Sequence, residues 1–172
     1  HIHCDETPFI MPQHSKEYMW VFHSPGGSDT HPLFLYEYLG GRSGEVLEKY
    51  LSGYQGTLVT DGYQPYHTLM KKSDRIQVAG CYAHARRKFT EIIKAVKNTP
   101  LTPGQAVAAE AVKRIDAMYH LDNMYKESSA KERLDNRQRS VKPLVDAYFA
   151  WLKTLQGKSN ASSKLKEAIN YS

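Results

Sequence analysis

The stretch Thr57-Leu58-Val59-Thr60-Asp61-Gly62-Tyr63 constrains this chain more than any other. A short run of strand-forming residues leads into an acid, and Gly62 breaks the run at once. Asp61 is therefore expected at the exposed end of a buried strand. A second stretch of the same kind opens the chain: Ile2-His3-Cys4-Asp5-Glu6-Thr7 alternates, with Ile2 and Cys4 on one face and His3 and Asp5 on the other. Aspartate is disfavoured in strands and costly when buried without a partner, so Asp5 asks for an explanation. A strand-end acid facing water is the ordinary one. A divalent cation shared by acids on neighbouring strands is the chemical one.

Around these stretches the pattern alternates between strand and helix periods. Residues 2–11 and 16–24 read as strands, the second with Tyr18, Trp20 and Phe22 alternating; Pro25-Gly26-Gly27-Ser28 reads as a turn, and residues 32–38 as a third strand. Such short connections imply an antiparallel meander. Gly40-Gly41-Arg42-Ser43-Gly44 lacks the Gly-Lys-Ser/Thr core of a P-loop and reads as a loop capping a helix over 45–52. After the Asp61 strand come a helical piece at 64–72, a fifth strand at 76–81, and a helix over 83–97 with Ala85, Phe89, Ile92 and Val96 on one stripe. The expected fold is α/β, a mixed five-stranded sheet flanked by helices. That element order is the one found in ribonuclease H-like domains, whose adjacent first and fourth strands each carry a metal-binding aspartate. Asp5 and Asp61 stand at those two positions.

The remainder is helical. Thr102-Pro103-Gly104-Gln105 and Ser129-Ala130-Lys131-Glu132 are both capping boxes, the first with Pro at the opening helical position. Val107, Ala111, Ile115, Met118, Asp122 and Tyr125 recur at intervals of three and four, as do Leu134, Gln138, Val141, Val145, Tyr148, Leu152 and Leu155. These stripes predict an antiparallel helical hairpin, with Pro143 kinking or restarting its second arm near Ser140. A polar loop at 157–163 and a short helix at 164–171 follow. The expected organisation is a partial catalytic core at 1–100 and a helical insertion at 101–172.

Charge is unevenly spread over the 172 residues. Residues 1–60 hold three Lys/Arg against seven Asp/Glu, and residues 61–172 hold twenty against eleven. An acidic half beside a basic half suits a cation site next to a polyanion-binding surface, although mixed solvated charge is equally compatible with composition. No apolar run reaches about 18 residues and no charged-then-apolar leader opens the chain, so membrane insertion and secretion are not expected. Cys4 and Cys81 read as reduced thiols in a cytoplasmic protein. The first residue is His1 rather than Met, which fits a piece of a longer chain.

Carboxylates that hold paired cations suit phosphodiester chemistry, and their oxygen donors select Mg²⁺ or Mn²⁺ over zinc. Cys81-Tyr82-Ala83-His84 has a C-x2-H spacing without a second ligand pair, which argues against structural zinc. His84, Arg86, Arg87 and Lys88 form a basic cluster able to contact a DNA backbone; a solvated helix face is the alternative. Arg133, Arg137 and Arg139 read more simply as solubilising charges.

The residues now assembled resemble the transposases of the insertion-sequence 66 group, of the DDE class. The matching stretches are Asp5-Glu6-Thr7, Trp20-Val21, Arg42-Ser43-Gly44-Glu45, Thr60-Asp61-Gly62-Tyr63 with Tyr66, and the specific block Gly80-Cys81-Tyr82-Ala83-His84-Ala85-Arg86-Arg87-Lys88-Phe89. The resemblance implies a ribonuclease H-like core and metal-dependent cleavage and strand transfer of transposon-end DNA, with DNA ends and target as partners and a homo-oligomer in the assembled complex. It makes Asp5 and Asp61 the first two acids of a triad. The third, a Glu in an Asn-Asn-x-x-Glu segment beyond the helical insertion, does not occur within these residues, so poor activity is expected of this piece alone. A nuclease or resolvase that cleaves without strand transfer is the alternative enzyme. A non-catalytic nucleic-acid-binding module is the alternative outside enzymes.

Overall fold

Alternating side chains at the start of the chain build β1 (Ile2–Ile10), which pairs antiparallel with β2 (Lys16–Ser24). Strand β3 (Leu33–Tyr38) continues the meander against β2. The computed structural model describes residues 1–13, 15–26, 31–94, 100–157 and 163–172, so the second half of the expected turn at Gly27-Ser28 lies outside it. The β-branched run around Val59 forms β4 (Gly56–Thr60), parallel to β1, and β5 (Ile76–Gly80) lies parallel to β4. The result is a mixed five-stranded sheet in the order β3-β2-β1-β4-β5, as the element order predicts.

Two compact units divide the chain, His1–Cys81 and Tyr82–Ser172. In the first, α1 (Gly44–Tyr50) is capped by Ser43, whose hydroxyl accepts from the Val46 N–H. Helix α2 (Gln64–Lys72) begins with Pro65 in its first turn, where a missing N–H costs nothing, and ends on Lys71 and Lys72, which complement the helix dipole. Lys72 also pairs with Glu48 of α1 at 2.7 Å. Leu47 of α1, Leu51 just past its end, and Tyr66 and Leu69 of α2 share one core with Cys4, Trp20, Phe22, Leu58 and Ile76 of the sheet. Trp20, Leu47, Leu58 and Tyr66 are fully buried there. Each large apolar side chain removed from water in this way contributes about 1.5–3 kcal/mol.

The second unit is helical: α3 (Tyr82–Lys94), α4 (Pro103–Asn123), α5 (Ala130–Asn136), α6 (Lys142–Leu155) and α7 (Ser163–Tyr171). Ala85 and Phe89 of α3 lie in its core, as their stripe predicts; Val96 and the expected end of that helix fall outside the described residues. Both capping boxes form, at Thr102/Gln105 and Ser129/Glu132. Ala108, Ala111, Ile115 and Met118 of α4 pack with Tyr148 and Leu152 of α6. The end of α4 meets the start of the second arm, where Asp122 binds Arg133 and Arg137, so the arms are antiparallel.

The second arm departs from its expected stripe at Leu134. The interruption expected near Ser140 takes the form of a π-helical turn, Arg137–Val141, between α5 and α6, which starts at Lys142; the Lys142 N–H donates to the Arg137 carbonyl five residues back. Proline has no N–H for the carbonyl four residues behind it, and its ring clashes there; the wider turn relieves both problems without ending the helix. The extra residue shifts the helical phase. Leu134, placed on the apolar stripe by spacing, is consequently 56% exposed, whereas Leu152 beyond the π turn is buried.

Candidate active site

The two predicted acids belong to neighbouring segments of the sheet: β1 carries Asp5, and Asp61 follows β4, its parallel partner. Ile2 faces Leu58 and His3 faces Val59 across the parallel β1–β4 pair. Beyond these pairs β1 runs on to Asp5, and β4 ends at Thr60, one residue before Asp61. Asp5 is exposed within β1, and Asp61 is half-buried just past the end of β4. The turn that follows is closed by Gly62 at φ 76°, a left-handed conformation that a β-carbon would strain. The Tyr63 N–H donates to Asp61 Oδ1 at 2.9 Å, and the Glu6 N–H donates to Asp5 Oδ1 at 3.0 Å. Each carboxylate thus has one oxygen oriented by a neighbouring backbone amide.

Beneath Asp5, on the opposite face of β1, lies a polar cluster that sequence reading assigned no role. Glu6 follows Cys4 by two residues and shares its buried face, with a side chain only 1% exposed. Its carboxylate accepts from Arg42 Nε at 2.6 Å and from the Tyr66 hydroxyl at 2.9 Å; the Cys4 thiol lies 3.4 Å from that hydroxyl. Burial raises the Glu6 pKa, the Arg42 and Tyr66 hydrogen bonds oppose it, and the charge of Asp61 adds to the rise. Burial likewise pushes the Cys4 thiol up to about 12, with Glu6, Asp5 and Asp61 adding to it. Cys4 is therefore a protonated thiol within the core. The available signal was a charged residue on an otherwise apolar strand face, which demands a partner.

The Arg42 guanidinium stacks 3.8 Å from the centre of the Tyr63 ring, and Tyr63 donates its hydroxyl proton to the Arg42 carbonyl at 3.5 Å. Trp20 Nε1–H binds the Gly41 carbonyl at 2.9 Å and fixes the loop that carries Arg42.

The predicted DNA contacts lie on α3 in the second unit. His84 sits half-buried in its first turn and Arg87 is exposed. Arg86 forms a two-pronged pair with Asp116 of α4, at 2.6 and 3.1 Å, and Lys88 binds Glu167 of α7 at 2.8 Å while lying 4.8 Å from the centre of the Tyr171 ring. Both cations therefore tie α3 to its neighbours. Arg133 and Arg137 converge on Asp122, which accounts for two of the three arginines of the helical arm. A cleft of about 340 Å³ opens between α4 and the π turn, lined by Ile115, Met118, Tyr119, Val141 and Val145. Its remaining lining includes Asp122 and Arg137, which are paired with each other.

Among the described residues no three His, Cys, Asp or Glu side chains come together as a ligand set. Asp5 and Asp61 offer carboxylate oxygens, the donor type that hard cations prefer. No helix among the described residues is long and apolar enough to cross a membrane.

These features define an α/β protein with a mixed five-stranded sheet, an acid on β1 and another just past the end of the parallel strand β4. The profile of the transposase IS66 family matches residues 1–172, and the chain belongs to that family. Its relatives include three uncharacterized proteins of Sinorhizobium fredii. Protein y4hP is 33% identical over 187 residues, covering 99% of this chain and 33% of its own length. Protein y4qI is 29% identical over 185 residues, covering 99% and 33%, and y4jD is 31% identical over 152 residues, covering 86% and 28%. The chain thus spans about a third of the length of these relatives. No solved structure gives a significant match.

Proposed function

We propose that this chain is part of the catalytic core of a DDE transposase with a ribonuclease H-like fold, acting on transposon-end DNA. Membership of the transposase family supports the role in transposition. The observation that carries the site assignment is the parallel β1–β4 register, which runs toward Asp5 on one strand and Asp61 on the other. Asp5 and Asp61 supply oxygen ligands for Mg²⁺ or Mn²⁺ from a rigid sheet, and their backbone-oriented carboxylates keep those oxygens directed. A cation held there supplies the Lewis acidity that phosphodiester cleavage and strand transfer require. Arg87 is the most exposed member of the basic cluster and so the most open to a DNA phosphate; Arg86 and Lys88 brace the helix that presents it, and His84 lies half-buried in its first turn.

The test is Mn²⁺-dependent nicking of transposon-end DNA by the full-length protein, compared with Asp61→Asn. A loss of at least about a hundredfold is expected, since removing a member of a catalytic constellation typically costs about 10³-fold or more. Equal nicking by both proteins would remove Asp61 from the chemistry.

A further inference from the structure

We propose that Glu6, Arg42 and Tyr66 form a buried clamp that positions the two acid-bearing segments relative to one another. This inference rests on the metal-binding reading of Asp5 and Asp61 and adds the residues that hold the pair in register.

Glu6 grips both segments. Its backbone N–H binds Asp5 Oδ1 at 3.0 Å, so any rotation of the Glu6 peptide moves the Asp5 carboxylate. Its side chain leaves the other face of β1 and accepts the Tyr66 hydroxyl at 2.9 Å. Tyr66 stands in the first turn of α2, immediately after the Asp61 turn, and its N–H binds the Tyr63 carbonyl at 3.0 Å. The Tyr63 N–H in turn binds Asp61 Oδ1 at 2.9 Å. The path Asp5–Glu6–Tyr66–Tyr63–Asp61 is thus an unbroken series of covalent and hydrogen-bonded links between the carboxylates. Arg42 closes the clamp from outside, bonded to Glu6 at 2.6 Å and stacked on the Tyr63 ring at 3.8 Å.

A purely structural need does not explain this choice of residues. The rest of that sheet face is closed by apolar side chains such as Trp20, Phe22 and Leu58, and well-packed hydrophobic residues serve stability as well as a buried ion pair does. What the ion pair and hydroxyl add is directionality: they fix β1 against the Asp61 turn in one register. Partners that orient metal ligands from behind typically change metal affinity about 10–100-fold when removed.

The experiment is Mn²⁺ binding by the full-length protein, read by the electron paramagnetic resonance signal of free Mn²⁺, for wild type, Glu6→Gln, Tyr66→Phe and Asp61→Asn. Circular dichroism and thermal unfolding report the fold of each. Glu6→Gln and Tyr66→Phe are expected to remain folded and to weaken Mn²⁺ binding about tenfold. Should Glu6→Gln not fold, Tyr66→Phe, which removes a single oxygen, carries the comparison. Affinity within twofold of wild type in a folded variant overturns the clamp while leaving the metal site standing. If wild type binds no Mn²⁺, or Asp61→Asn binds as well as wild type, the metal reading itself fails and the clamp with it.

Discussion

Replacing Arg42 with Ala tests the electrostatics of the site's interior. The change removes the cationic partner of a carboxylate whose side chain is 1% exposed, while Arg42 itself is 35% exposed. Breaking a buried pair by deleting one member costs about 3–5 kcal/mol. The open side of Arg42 admits water, and the Tyr66 bond to Glu6 survives, so about 2–3 kcal/mol is expected at pH 8. Glu6 escapes part of the penalty by taking up a proton. Burial already holds its pKa above the ordinary 4.5, against the pull of Arg42 and Tyr66, and losing Arg42 raises it further. Between 4.5 and that raised value the native state keeps a proton the unfolded chain has lost, so stability falls as pH rises, by at most about 1.4 kcal/mol per pH unit. The cost of Arg42→Ala should therefore be under about 1 kcal/mol at pH 5 and reach its full size by pH 8. Urea unfolding followed by circular dichroism at both pH values measures it. On a Glu6→Gln background the same substitution should cost under about 1 kcal/mol at pH 8, because no charge is stranded. Equal costs in both backgrounds, or a cost independent of pH, would refute the reasoning.

Two further outcomes concern the helical unit. Asp122→Asn should lower its stability by about 1–2 kcal/mol at neutral pH, since two guanidinium groups lose a charged acceptor. The Arg137 hydrogen bond, then that of Arg133, holds the Asp122 pKa below 3.8, so this contribution is present above 3.8 and disappears as pH falls through the lower native value; acid titration of both proteins by circular dichroism should show the curves converging. Leu152→Ala should cost about 2–5 kcal/mol and Leu134→Ala under about 0.5 kcal/mol in urea unfolding, the contrast that the π turn's phase shift requires. Similar costs would return Leu134 to the apolar stripe.

Much of the scaffold was legible because local signals and global pattern agree. The boundaries of β2 and α2 follow directly from alternation, from Pro65 at a helix start and from the terminal lysines. Thr102 and Ser129 announce their helices through residues three positions on. The acid positions were legible too, because a strand ended by Gly62 leaves few places for Asp61. The interior was not. Glu6 finds its partners 36 and 60 residues away, at Arg42 and Tyr66, and no periodicity encodes such a pairing. For the same reason Arg86 and Lys88 read as DNA-backbone contacts or a solvated helix face, with no sign of Asp116 and Glu167, which hold them from 30 and 79 residues away. The π turn escaped because a spacing of three and four carries no mark of one inserted residue.

The most direct measurement of the central claim is a crystal structure of the full-length protein grown with Mn²⁺, with data collected for its anomalous signal. A peak ligated by both Asp5 and Asp61 is expected at about 2.1 Å, the distance range of small octahedral cations on carboxylate oxygen. A pair of carboxylates directed apart, with the ion bound elsewhere or absent, would contradict that claim.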